Sequence, residues 1–285
     1  MQKNFISKLT LFMVIVMIAA GFSACAVRGD DLSGDESSIS VTGEEDIIEG
    51  AGRSDTAPNV LPNLVDIVND LWSENDDTVG WLRVPGTTID DVVVFKEDDN
   101  DFYMRRNFEK QYYFNGIFYA DKRSVFAPNG SLDGLGRNTV VYGHSMSDSR
   151  DDIQFGPTRY FLDEEFARTH PYIFLSTLQD DLAWEVVAVF YTNWDVPYNR
   201  NDLSYSEFQA MFDEVSARSV YDYGVEISED DKFLTLSTCV YSLPGKGLLE
   251  YPNIYRFGIM ARLVEPGTAL KDEADFTKNN NVKAA

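Results

Sequence analysis

Leu234-Thr235-Leu236-Ser237-Thr238-Cys239 is the stretch on which the reading of this chain turns. Apolar residues alternate with hydroxyl-bearing ones, and alternation with a period of two marks a strand whose faces meet different surroundings. Leu234 and Leu236 share one face; Thr235, Ser237 and Cys239 share the other. A structural cysteine sits most often among apolar residues, where its thiol stays protonated and inert. The chain has 2 cysteines, and the other, Cys25, belongs to an N-terminal export segment, which leaves Cys239 without a disulfide partner. An unpaired thiol in an exported, disulfide-permissive setting reads as a reactive group.

Outward from this strand, residues 79–84, 92–95, 116–120, 139–143, 172–176, 184–192, 233–240 and 254–264 are short runs rich in β-branched and aromatic residues. Turn pairs such as Pro85-Gly86, Asn129-Gly130 and Pro244-Gly245 separate them. Leu61, Leu64, Val65, Val68 and Trp72 recur at helical spacing ahead of the first strand. A second helix follows Ser204, which forms a capping box with Glu207 and precedes the apolar stripe Phe208, Met211, Phe212 and Val215. The expected fold is mainly β: a closed barrel with peripheral helices.

The ends differ in kind from this body. Lys3 and Lys8 precede an apolar run over residues 9–20, whose length fits a signal-peptide core better than a full membrane span. Phe22-Ser23-Ala24-Cys25 resembles a lipobox, with Phe22 standing where Leu is usual. Residues 1–25 thus read as a signal peptide or membrane anchor, either lipidated at Cys25 or kept as an uncleaved signal-anchor. Residues 26–57 are rich in Asp, Glu, Ser and Gly and read as an acidic flexible linker. Residues 58–265 carry the folded domain, and the polar tail 266–285 is expected to fray. A net charge of −23 excludes a protein that tracks phosphate backbones, so nucleic acid is not an expected partner.

With 2 histidines in the chain, the search for a base beside the thiol is short. His144 follows the strand Thr139-Val140-Val141-Tyr142-Gly143 and opens a polar loop, a position from which a scaffold presents a side chain to solvent. His170 lies in Thr169-His170-Pro171 ahead of an apolar strand and reads as a turn histidine. An imidazolium beside a thiol stabilises thiolate and can protonate a leaving amine. Arg256 stands inside the apolar strand Tyr255-Arg256-Phe257-Gly258-Ile259, where an inward-facing charge needs a reason. It is either a rim ion pair or a fork of donors aimed at an oxyanion. Two separated histidines and one available thiol make no metal cluster, and there is no glycine-rich phosphate loop, so no cofactor is expected.

His144, then Thr235-Leu236-Ser237-Thr238-Cys239, then Arg256 resemble the signature of the sortases. Thr78-Val79-Gly80-Trp81-Leu82-Arg83-Val84-Pro85-Gly86-Thr87, Asn107-Phe108, Gly116-Ile117-Phe118 and Arg137-Asn138-Thr139 are similar to the class B branch, and the likeness spans residues 60–264. The resemblance implies an eight-stranded sortase β-barrel with N-terminal helices and a helix before the cysteine strand. It implies a cysteine transpeptidase with Cys239 as nucleophile, His144 as general acid and base, and Arg256 on the substrate or its oxyanion. Ser237, Thr238 and Tyr241 would contribute to substrate binding, and residues 241–253 would wall the groove. The implied partners are secreted proteins bearing a C-terminal sorting signal of LPXTG-like or NPXTX-like type, a peptidoglycan precursor or cross-bridge amine, and the membrane through the N-terminus. Val240 stands where class B members often carry an acidic residue.

Three other readings compete. An L,D-transpeptidase would carry Ser-His-Gly-Cys at its nucleophile, a histidine that Ser237-Thr238-Cys239 lacks, and a papain-like peptidase would place its cysteine ahead of its histidine. A non-catalytic surface lipoprotein could keep such a barrel as a binding module; the joint presence of Cys239, His144 and Arg256 weighs against it.

Overall fold

A computed structural model describes residues 57–127, 130–251 and 254–285. The export run, Cys25 and nearly all of the acidic linker lie outside these residues, as does Asn129. In chain order the elements are α1 (Val65–Glu74), β1 (Thr78–Arg83), β2 (Asp90–Phe95), β3 (Phe118–Ala120), β4 (Asn138–Tyr142), α2 (Glu164–Thr169), β5 (Tyr172–Ser176), β6 (Asp181–Asn193), α3 (Tyr205–Arg218), β7 (Tyr221–Asp222), β8 (Phe233–Cys239), β9 (Ser242–Leu243), β10 (Gly247–Leu248), β11 (Tyr255–Leu263) and β12 (Thr277–Lys278). Short 3-10 turns occur at Tyr103–Arg105, Leu132–Gly134 and Gly156–Leu162.

Eight strands close a barrel in the order β1-β2-β3-β4-β8-β11-β6-β5. They are the eight runs read from the sequence. Two neighbouring pairs, β2 with β3 and β4 with β8, are parallel. The second pair places the end of β4, which leads to His144, beside the end of β8, which carries Cys239.

Alternation along each strand sorts side chains between two cores. Val141, Leu234, Leu236, Phe257, Ile259 and Ala261 fill the barrel interior. Phe190, Phe233 and Met260 face outward against Phe208, Met211, Phe212 and Val215 of α3. Each of those apolar α3 side chains contributes about 1.5–3 kcal/mol by leaving water. The capping box is formed: Ser204 Oγ accepts from the Glu207 N–H, and the Glu207 carboxylate accepts from the Ser204 N–H.

Two expectations are corrected. Arg256 is not inward-facing: because Phe257 and Ile259 take the interior positions of β11, Arg256 falls on the outer face. That is the face Cys239 and Ser237 occupy on β8. The tail does not fray either. Ala274 and Phe276 are buried, β12 pairs with β7, and the Phe276 ring lies 4.5 Å from that of Tyr221. Ala274 and Phe276, with Leu270 packed against Tyr172 and Phe174, dock a mostly polar segment, a detail that average composition hides.

Candidate active site

Arg256 and Cys239 are register partners on β11 and β8, so sheet geometry alone sets them side by side. Both line an open groove of about 720 Å³ on the outer face of the barrel, together with His144, Ser237 and Thr238. The far walls come from Asn100, Asp101 and Met104 on one side and from Trp194, Pro197, Asn199 and Arg200 on the other. The Arg256 guanidinium lies 4.6 Å from the centre of the Trp194 ring, over its face, which limits the directions in which its donors can aim. The Cys239 thiol is free and half-buried.

His144 is held by main-chain groups. Its Nε2 meets the Met104 carbonyl at 2.8 Å. A carbonyl can only accept, so Nε2 carries the hydrogen and Nδ1 is the nitrogen left to exchange a proton. The His144 N–H donates to Gln154 Oε1 at 2.6 Å, while Gln154 Nε2 donates to the carbonyls of Asn115 and Gly116. Gln154 adopts φ 44°, a left-handed conformation that a non-glycine residue takes only when its surroundings hold it there. Gly116 is also left-handed, and a Cβ there would stand 2.5 Å from the Met104 carbonyl oxygen. Glycine is therefore required for that carbonyl to reach the imidazole. Burial of the ring pulls the His144 pKa below the ordinary 6.5; the hydrogen bond to Met104 opposes this and the charge of Arg105 adds to it.

Behind the groove, Ser237 Oγ is 3.0 Å from the Tyr198 hydroxyl, and Thr235 donates to Asn138. The first bond ties the polar face of β8 to the β6–α3 connection and the second ties it to β4. Asp121 is fully buried and accepts from Arg123 and Tyr142, both of which line the groove. Burial alone would raise its pKa, but hydrogen bonds from Arg123 and Tyr142 hold it below the usual carboxylate value.

Of the residues singled out in the sequence, Cys239, His144, Arg256, Ser237 and Thr238 come together in the groove. Tyr241 stands apart: its hydroxyl donates to the Ser145 carbonyl at 2.9 Å and its N–H to Asp148 at 2.9 Å. The connection after Cys239 was expected to wall the groove. Among its described residues none lines it; Asp148 draws Tyr241 and Ser242 toward the His144 loop, and the rest forms the β9–β10 hairpin. Met104 and Gln154 carry no sequence signal as partners of His144, because one acts through its carbonyl and the other through a loop conformation.

Among the described residues, no group of three or more His, Cys, Asp or Glu side chains is placed to hold a metal ion, and no helix is long and apolar enough to cross a membrane. No family model matches the chain. It is 32% identical over 182 residues to Sortase B of Listeria monocytogenes, covering 64% of this chain and 70% of that protein. To Sortase B of Staphylococcus aureus it is 26% identical over 185 residues, covering 64% and 72%. Among solved structures, Clostridium perfringens sortase B matches at TM-score 0.57 and 27% identity, over 69% of this chain and 99% of that one. The Staphylococcus aureus sortase B–substrate complex matches in fold at TM-score 0.58 and 24% identity, over 70% and 85%.

Proposed function

Because this chain belongs to the sortase B family and is a sortase-type cysteine transpeptidase, we propose that it joins exported proteins carrying a C-terminal sorting signal to an amine of peptidoglycan. Cys239 attacks the carbonyl of the scissile amide in an LPXTG-like or NPXTX-like signal. The tetrahedral intermediate collapses to a thioacyl enzyme and releases the C-terminal remnant as an amine. His144 takes the proton of the Cys239 thiol, passes it to that amine, and then takes one from the incoming peptidoglycan amine, whose attack on the thioester frees Cys239. Arg256 directs its N–H donors at the substrate carbonyl or the oxyanion that forms from it. The body of the protein works at the outer side of the cell membrane, tethered through its N-terminal segment.

The observation that carries this reading is the meeting of the three residues in one groove, with Arg256 opposite Cys239 in the ladder. A thiol attacking a carbonyl needs a proton donor and an oxyanion partner within reach, and these side chains supply both types. A Staphylococcus aureus sortase B of the same fold is known in complex with its substrate, which agrees with a substrate-binding role for this chain.

The test is mass spectrometry of the protein incubated with LPXTG-like and NPXTX-like peptides, with and without oligoglycine or a diaminopimelate-type amine. The expected result is a thioacyl adduct on Cys239 that an amine converts to a linked product, both lost in Cys239→Ala. Cleavage without amine capture would point to a peptidase; adduct formation persisting in Cys239→Ala would end the assignment of the nucleophile.

A further inference from the structure

Arg159 lies on the 3-10 turn Gly156–Leu162 and is not among the residues that line the groove. Its side chain is only 4% exposed. Nη2 donates to the carbonyl of Cys239 itself at 2.8 Å and to Asp148 Oδ1 at 3.0 Å. Nη1 donates to Ser145 Oγ, next in chain to His144, at 3.1 Å. The guanidinium carbon is 5.6 Å from the ring centre of Phe257, next in chain to Arg256. One buried cation therefore touches Cys239 and the immediate neighbours of the other two groups. Asp148 extends the link by accepting from the Tyr241 N–H and the Ser242 hydroxyl.

Stability alone gives a poor account of this arrangement. Taking a guanidinium out of water is costly, and well-packed apolar residues often serve a core equally well. Arg159 also leaves its Nε hydrogen without a partner. Cys239 is the last residue of β8, and strand ends open more readily than strand centres. A nucleophile there needs an anchor beyond the ladder.

We propose that Arg159 is a positioning residue of the transpeptidase: with Asp148 as its counter-ion, it pins the carbonyl of Cys239 and the start of the His144 loop to one rigid fork. It makes no contact with substrate and acts through the residues it holds. The proposal rests on Cys239 being the nucleophile.

The experiment compares Arg159→Met, Arg159→Lys and Asp148→Asn in the full chain. It uses a sorting-signal peptide that the wild type turns over and measures kcat, KM, thermal unfolding and the rate of Cys239 alkylation by iodoacetamide. Arg159→Met is expected to lower kcat about 100-fold, the scale of a misplacement of roughly 1 Å at the reacting centre, with KM changed less than about threefold. Arg159→Lys should recover part of that loss, since an ammonium can hold one acceptor but not the whole fork. Asp148→Asn, at a carboxylate 27% exposed to water, should fold and lose about tenfold in kcat through a barrier about 1.4 kcal/mol higher. A folded Arg159→Met with wild-type kcat overturns the inference. So does a loss confined to thermal stability, and, should Arg159→Met not fold, so does an Asp148→Asn enzyme with unchanged kcat. Turnover that survives in Cys239→Ala would instead sink the underlying assignment of the nucleophile, whatever the Arg159 variants do.

Discussion

The two histidines make an instructive pair because their immediate bonding is similar and their settings are opposite. Each is partly buried and each has one ring nitrogen on a main-chain carbonyl, His144 on Met104 at 2.8 Å and His170 on Phe166 at 3.0 Å. His170 caps the C-terminus of α2, stacks on the Phe166 ring at 3.9 Å, and packs its Nε2 against Gly86, where a Cβ would come within 2.4 Å. Both nitrogens and one face of that ring are absorbed by the corner they hold together. His144 keeps Nδ1 clear of the Met104 bond and lies in the groove with a free thiol and a guanidinium. A histidine's chemistry is thus set by where its second nitrogen goes.

Removing the rings in turn should separate the two roles most sharply. His144→Ala is expected to lower kcat/KM by about 10²–10⁴, the span of a lost general acid and base, whereas His170→Ala should change it by less than about threefold. Peptide cleavage kinetics on both variants decide this; a dead His170→Ala beside an active His144→Ala would reverse the comparison. Next in size, Arg256→Lys should lose about 10²–10³ in kcat, because a point charge does not reproduce the fork that stabilises an oxyanion. Near-wild-type turnover would make Arg256 a structural residue seated on Trp194.

A smaller effect lies in pH. Burial depresses the His144 pKa, so the unfolded chain binds more protons than the folded one once pH drops below 6.5. The stability tied to the neutral ring is present in full above pH 6.5 and is lost as pH falls through the lower folded value. Urea titrations between pH 5 and 7 should show a shallower acid loss in His144→Gln than in the wild type, and parallel curves would remove His144 from the acid response. The smallest effect on catalysis belongs to the other corner. Gly86→Ala must take a φ of 72° and meet the His170 ring, so it should destabilise by about 1–3 kcal/mol while kcat of the folded enzyme stays unchanged.

Much of this was legible in the chain because it depends on local pattern. Alternating runs placed all eight barrel strands, and Ser204 with Glu207 announced the start of α3. The short α2 is not legible in the sequence because six residues carry too little periodicity, although Asp163 caps it by accepting from Phe166. The facing of Arg256 differs from the sequence expectation because a strand's sequence gives two faces without saying which one the barrel encloses. The fate of the tail turned on Ala274 and Phe276 finding a surface that only the folded barrel offers.

The sequence by itself determined the strands, the one thiol of the folded domain and its two companions His144 and Arg256, since residue identity and period need no partner to be read. The tertiary structure decided the rest. Parallel pairing of β4 with β8 and the register of β8 with β11 bring three distant residues to one groove. A carbonyl from Met104, an amide from Gln154 and a buried guanidinium from Arg159 then fix two of them in place. Such contacts run through main-chain groups and long-range packing, and these carry no signature in a linear chain.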